Sequence, residues 1–288
     1  MWILFAFIAA VSTSLSDVAN KIALKKDSSY FVGWFQLLLL LPFTLSIIAY
    51  YGLSNLPIQF WHVMILLVPF DIIAFFLYIK ALEVSPLSVT VPFLSFTPLI
   101  TLLFSLAILE EQPSMLGLFG ILLVTAGAYI INFGALKKGF WGPIKAIRNE
   151  RGSLYMIIVA VIFGLTTTLY KKAILLSNPL LTVAVVVTLD ALLGCIYVYF
   201  FRKKEMQKHS ESIQWPLYIF MVFFTILSSV GFIFGIALTK VAYVISIKRL
   251  SLLFGVIFGK LLFGEDHISE RLAGALLMFL GVVLIILG

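Results

Sequence analysis

Charge is the scarcest ingredient of this chain of 288 residues: Asp, Glu, Lys and Arg make up only 11% of it. A water-soluble globule carries roughly 25%, because its surface must face water, so a soluble fold is excluded. Disorder is excluded too, since disordered chains are polar and poor in aromatics, whereas this one holds 27 Phe, 11 Tyr and 5 Trp. Cysteine occurs once, at Cys195, which has no intramolecular partner and says nothing of redox compartment. His62, His209 and His267 are too far apart to form a zinc cluster, and no HExxH is present. The P-loop and the Gly-rich dinucleotide fingerprint are missing, which removes ATP as a direct energy source. No nucleophile–base pair is in view. No enzymatic activity, cofactor or metal is expected. The stretch from Met1 to Val18 lacks a basic n-region and carries Asp17 where a cleavage site would lie, so it reads as a retained first helix.

What is present is apolar. Apolar types make up 62% of the residues and mean hydropathy is +1.14, the composition of an all-α polytopic membrane protein. A hydrocarbon core of ~30 Å takes ~20 helical residues per crossing. Hydropathy and punctuation predict ten spans, at 2–23, 30–52, 60–82, 86–108, 114–132, 153–175, 179–201, 214–237, 242–263 and 268–287. The breaks are polar, as at Lys25-Lys26-Asp27, Glu110-Glu111-Gln112-Pro113 and Arg202-Lys203-Lys204. The net charge of +7 fits basic loops against anionic headgroups, with no call for nucleic acid. The expected location is the plasma (cytoplasmic) membrane.

The longest connection divides the chain into 1–132, a basic linker at 133–152, and 153–288. The linker holds Lys137, Lys138, Lys145, Arg148 and Arg151, with Trp141, Ile144 and Ile147 interleaved. It reads either as a short amphipathic helix on the headgroups or as a solvated linker, given Gly142-Pro143. The halves resemble each other. Aligning Glu111 with Glu265 brings Gly120 onto Gly274 and Gly127 onto Gly281, while Ser16 to Leu24 lines up with Thr167 to Leu175. Five spans is an odd number, so duplication inserts the second half upside down. That arrangement has a pseudo-two-fold axis in the membrane plane and a substrate site at mid-bilayer between the halves.

This repeat, with the Leu262-to-Asp266 close of span nine and the Gly274–Gly281 spacing of span ten, resembles the EamA-type transporters of the drug/metabolite transporter superfamily. The resemblance implies ten helices, with spans one, three, four, six, eight and nine around a central cavity. The first half departs from the pattern in reading Glu110-Glu111 instead of Gly-Glu.

An ionisable group at the bilayer midplane costs ~2.5–3.5 kcal/mol by insertion scales, so those inside spans are the first candidates for function. Lys248 and Arg249 lie about 10 Å into span nine at 1.5 Å per residue. Neighbours ~100° apart on a helix cannot both snorkel out by one route. A cavity-facing cation pair suits phosphate or carboxylate. The run Ile247-Lys248-Arg249-Leu250 also resembles the corresponding span of plastid sugar-phosphate translocators, a resemblance that implies phosphate contact. Phe75, Tyr78 and Phe96 are the expected aromatic lining. Asp71 and Asp190 are candidates for proton coupling, or else pair with a base to hold helices together. Asp17 and Lys21 have the spacing of an i,i+4 ion pair. Lys21, Lys172, Lys80 and Lys260 read as boundary residues, Glu111 and Glu265 as structural. Pro42, Pro69, Pro92 and Pro98 sit inside spans and permit bending. Gly231/Gly235 and Gly255/Gly259 read as packing pairs.

Positive charge falls in the loops after odd spans, which by the positive-inside rule places both termini outside. The family resemblance implies both inside. The expected function is a secondary active transporter of a small polar or anionic metabolite, working by alternating access with proton coupling or exchange. The alternatives are a non-transporting scaffold, a lipid-acting enzyme, or an exporter of amphiphilic or cationic compounds. Partners are then the metabolite and the lipid bilayer, with the chain a monomer or homodimer.

Overall fold

A bilayer offers the backbone no hydrogen-bond partner, so each crossing must satisfy its own N–H and C=O groups. The computed structural model describes residues 1–85, 91–133, 151–202, 213–254 and 272–288. These hold helix and no strand. In chain order they are α1 (Trp2–Ala23), α2 (Ser29–Tyr51), α3 (Ile58–Val84), a 3-10 segment (Val91–Phe96), α4 (Thr97–Leu109), α5 (Met115–Phe133), α6 (Arg151–Leu175), α7 (Pro179–Phe201), α8 (Trp215–Leu238), α9 (Val241–Lys248) and α10 (Leu272–Leu287). Six of them, α1 to α3 and α6 to α8, are each long and apolar enough to cross a membrane. The chain is an integral multi-pass membrane protein.

Helix ends follow local chemistry. The Ser28 side chain accepts the Phe31 N–H at 3.3 Å and Asn178 accepts that of Leu181 at 2.8 Å, each filling one of the orphan donors of a helix start. Glu110 closes α4 in the left-handed region at φ 58°. Pro42 and Pro69 lie inside α2 and α3 without ending them.

Large apolar side chains face outward, as at Phe7, Ile65, Phe200 and Phe223, where lipid rather than water surrounds the protein. Inside, small residues let backbones approach. On α1 the stripe Ala6, Ala9, Ala10 is fully buried against α8, where a Cβ on Gly231 would stand 2.6 Å from the Phe5 carbonyl oxygen. Between α5 and α10 the glycines interlock. A Cβ on Gly120 would meet the Gly281 carbonyl at 2.6 Å, and one on Gly127 would meet that of Gly274 at 2.5 Å. The register rises on one helix as it falls on the other, so the pair is antiparallel. The remaining strong contacts pair α3 with α6, α2 with α7, α4 with α6 and with α9, and α1 with α9.

Two faces result. On one, Lys80 and Arg202 lie 5.5 and 4.9 Å from the Tyr30 ring, and Tyr218 donates to Asp27 at 2.8 Å. On the other, Trp2 packs on Tyr243 at 6.4 Å, the Ser114 N–H donates to the Tyr243 hydroxyl at 3.1 Å, and Lys171 pairs with Glu111. Both termini belong to the second face.

Span four departs from expectation: it is not one α-helix, but a 3-10 segment that becomes α-helical at Thr97, with Pro98 in the first turn of α4. The 3-10 ladder needs only i→i+3 bonds and tolerates prolines that an α-helix interior does not. The Asp17–Lys21 pair is also not formed. Lys21 donates instead to the Leu82 carbonyl at 2.7 Å, serving one of the unpaired carbonyls at the end of α3. The readings of residues 134–150 in the linker, and of Gly255, Gly259, Lys260, Leu262 to Asp266 and His267, lie outside the described residues.

Candidate functional site

Span nine is interrupted where its charges lie. α9 runs for eight residues to Lys248, Arg249 is its C-cap, and the next turns close through i→i−3 bonds from Leu250 to Ile247 at 2.9 Å and from Leu252 to Arg249 at 3.0 Å. Moving back along the chain by the separation of Glu111 from Glu265 carries Lys248 and Arg249 onto Leu94 and Ser95. These fall inside the 3-10 segment of span four. In that alignment spans four and nine therefore leave α-helical geometry at matching positions. Non-α backbone at membrane depth is tolerated where it is buried in protein or borders a cavity.

A cavity of about 270 Å³ does border it. Lys248, Arg249 and Leu94 line it, together with Asp71, Phe75 and Tyr78 of α3 and Asp17 of α1. The structure thus brings together five of the residues singled out from the sequence, while two lie elsewhere. Phe96, expected on the wall, is 40% exposed and packs on Tyr129 at 5.8 Å. The 3-10 segment turns through ~120° per residue, so Leu94 faces inward and Phe96 outward. Asp190 on α7 is buried and is not among the residues that line the cavity, although the Asp71 charge acts on it.

The cations are not neutralised by contact. Lys248 sits 4.8 Å from the centroid of the Phe232 ring, a cation–π contact that leaves its charge unpaired. Arg249 is buried, and its Nε has no hydrogen-bond partner among the described residues. Asp17 and Asp71 act on Lys248 through space, and Asp17 acts on Arg249, but each carboxylate is held by a tyrosine. Tyr78 donates to Asp17 at 2.7 Å and Tyr170 donates to Asp71 at 2.8 Å. Acids and bases share the cavity, yet among the described residues no ion pair joins them and Arg249 Nε is a donor without an acceptor.

A second polar wall was not foreseen. Thr13, Ser16 and Asn20 of α1, Gln36 of α2, and Thr225 and Ser228 of α8 line the cavity, and all but Asn20 hydrogen-bond among themselves. The signal in the sequence was the i, i+3, i+7 recurrence of polar residues at 13, 16 and 20 within an otherwise apolar span, one helical face. Ser and Thr are common enough in membrane helices to hide it.

A family model described as the EamA-like transporter family matches residues 1–133 and 150–287. A solved structure described only as "Crystal structure of protein" is similar over 99% of this chain and 96% of its own, with a TM-score of 0.77 at 15% sequence identity. At that identity the likeness speaks for the fold alone. A search of curated proteins gave no match.

Proposed function

The chain belongs to the EamA-like transporter family, whose members are generally transporters, and from that premise we propose a secondary active transporter of a small polar or anionic metabolite. One central site alternates in exposure between the two sides of the membrane, driven by protons or by exchange. The observation that carries this is the unpaired Lys248–Arg249 donor pair at the break in span nine, facing a mid-membrane cavity. A planar guanidinium beside a point charge suits phosphate or carboxylate. Phe75 and Tyr78 supply the aromatic lining, and Asp71 with Asp190 the proton-responsive group.

In this reading residues 1–132 and 153–288 are five-helix halves in inverted orientation, joined by 133–152. Crosswise packing supports it. If α1 to α5 correspond to α6 to α10, then α1 on α8 mirrors α3 on α6, and α1 on α9 mirrors α4 on α6. Meanwhile α2 on α7, α4 on α9 and α5 on α10 pair equivalents, as a two-fold relation requires. An exporter of cations is disfavoured, because the tyrosines already occupy Asp17 and Asp71. The basic loop face is assigned to the cytoplasm, and the membrane to the plasma membrane.

The test is uptake into proteoliposomes of phosphorylated, carboxylated and neutral solutes, with Lys248→Ala and Arg249→Ala beside the parent chain. Each substitution is expected to lower anion transport at least tenfold. Unchanged anion transport in both variants refutes the anion site.

A further inference from the structure

The hydroxyl and amide wall of the cavity has a direction, which follows from counting protons. A hydroxyl owns one hydrogen and two lone pairs. Thr225 directs its hydrogen to the Met221 carbonyl at 2.9 Å, so toward its neighbours it can only accept. Ser16, 2.9 Å away, therefore donates to Thr225. The Gln36 amide must turn its Nε2 to the same oxygen, at 2.7 Å. This fixes the amide flip that geometry alone leaves open and points Oε1 away from Thr225. One step along α8 the pattern repeats: Ser228 directs its hydrogen to the Ala9 carbonyl at 3.4 Å, so Thr13 donates to Ser228 at 2.7 Å.

The result is a wall on which every hydroxyl hydrogen and one Gln36 Nε2 hydrogen are used within the protein, while two of its amide oxygens are not. Gln36 Oε1 and Asn20 Oδ1 are buried oxygens with no partner among the described residues, on side chains more than nine-tenths buried that border the cavity. The opposite shortage holds at Arg249, whose Nε is a donor lacking an acceptor among the described residues. A buried polar group left unmatched is unfavourable in either sense. A ligand relieves both shortages at once only if it is an acceptor at one end and a donor at the other.

We propose that the wall of α1, α2 and α8 is a specificity subsite for hydrogen-bond donors, so that the substrate is an anion bearing O–H or N–H groups on the part remote from its charge. The proposal rests on the reading of Lys248 and Arg249 as the anion site and adds the opposite pole. Gln36 and Asn20 are its specificity-determining residues. A simple anion without donors would satisfy the cations and leave the acceptor wall unmatched, and so would bind more weakly.

Three carboxylates of similar size separate the cases: propanoate with no remote donor, glycerate with hydroxyls, and β-alanine with an ammonium. Binding is measured by calorimetry on the purified full chain in nanodiscs, with Gln36→Met, Asn20→Leu and Arg249→Ala alongside. Glycerate, β-alanine or both are expected to bind at least tenfold more tightly than propanoate, and which of them does so identifies the donor as hydroxyl or amine. In Gln36→Met or Asn20→Leu that ratio falls toward one. Each variant is first checked for an unaltered melting profile, and either one that folds suffices. Gln36→Glu, which keeps a carbonyl oxygen there, is expected to retain part of the preference. Equal affinities in the parent chain, or a preference that survives both Gln36→Met and Asn20→Leu, overturns the donor subsite and leaves the anion site standing. Binding of none of the three, or binding indifferent to Arg249→Ala, overturns the anion site itself and the subsite with it.

Discussion

Tyr78 on α3 hands its phenolic hydrogen to Asp17 on α1 at 2.7 Å, and this bond keeps the carboxylate from closing onto Arg249. Hydrogen bonds to charged groups contribute more than neutral ones, though inside membranes most fall near or below 2 kcal/mol. Tyr78→Phe is expected to destabilise the protein by about 1–2 kcal/mol. The freed carboxylate would then neutralise the cations, so anion affinity falls as well. Thermal denaturation in micelles and ligand titration of the same samples check both. A Tyr78→Phe variant with unchanged melting and affinity would show that the bond restrains nothing.

The glycine pair of α5 and α10 makes a sharper stability prediction, because the atoms in the way are backbone. A Cβ on Gly281 would stand 2.7 Å from the Gly120 carbonyl oxygen, whereas one on Gly194 of α7 would meet only the tip of the Leu37 side chain at 3.2 Å. Overpacking that forces backbone to move costs about 1–3 kcal/mol. Gly281→Ala and Gly120→Ala are each expected to lower the melting temperature clearly, and Gly194→Ala much less. Equal effects at all three positions would mean that α5 and α10 are not this close.

Lys171 and Glu111 lock the face that carries both termini. Lys171 also donates to the Thr239 carbonyl at 2.6 Å, and Glu111 accepts the Val241 N–H at 2.9 Å, so one pair joins the ends of α4, α6 and α8 to the start of α9. Removing one partner strands the other in a site about one-eighth exposed. Loss of one member of a buried pair costs roughly 3 kcal/mol or more. Lys171→Met or Glu111→Gln alone is expected to approach that loss, and the double variant to be less damaged than the two singles added. A double-mutant cycle measured by chemical denaturation yields the coupling, and strict additivity would contradict the lock.

Much of this architecture was legible in the sequence because lipid makes a blunt demand. Apolar runs of about 20 residues located the described helices, and the aligned glycines Gly120, Gly127, Gly274 and Gly281 fall where α5 and α10 meet. Lys248, Arg249, Asp71, Phe75 and Tyr78, which border the cavity, stood out because a charge or ring in a span is rare enough to need a reason. Phe96 turns away from the cavity because the backbone before Thr97 is a 3-10 segment and not an α-helix, which rotates each side chain by a further ~20° per residue. The Asp17–Lys21 pairing failed because helical spacing is blind to competing partners. Tyr78 and the Leu82 carbonyl lie 61 residues from their partners in sequence. The hydroxyl wall escaped for the same reason, since its bonds from α1 to α8 span more than 200 residues.

Orientation follows from where the described basic residues gather. Lys25, Lys26, Lys80 and Arg202 share the Tyr30 face, while both termini lie on the Tyr243 face, whose Lys171 is paired with Glu111 and whose Lys240 packs on Tyr243. Positive charge favours the cytoplasm, so a periplasmic-type reporter such as alkaline phosphatase fused at the C-terminus is expected to be active, and a fluorescent protein fused there dark. The reverse pattern would place the termini in the cytoplasm, as the family resemblance implied, and would override the charge count.

Asp190 tests whether coupling to protons runs through a pair rather than a single group. It is buried and absent from the cavity lining, whereas Asp71, whose charge acts on it, borders the cavity. Two carboxyl groups bond each other only when one of them carries the hydrogen, so a pair that couples transport to protons would hold one between them and release it at the cavity surface. Asp190→Asn keeps a donor in the same place without an exchangeable charge, and Asp190→Ala leaves Asp71 to its tyrosine alone. Asp190→Asn is therefore expected to fold normally, to keep solute exchange between two loaded compartments, and to lose most uptake driven by an imposed pH gradient, by tenfold or more. Asp190→Ala is expected to lose about 1–3 kcal/mol of stability in addition. Proteoliposomes loaded for exchange and for gradient-driven uptake measure the two modes on one preparation. Gradient-driven uptake that persists in Asp190→Asn would confine coupling to Asp71, and loss of both modes together would make Asp190 a structural residue.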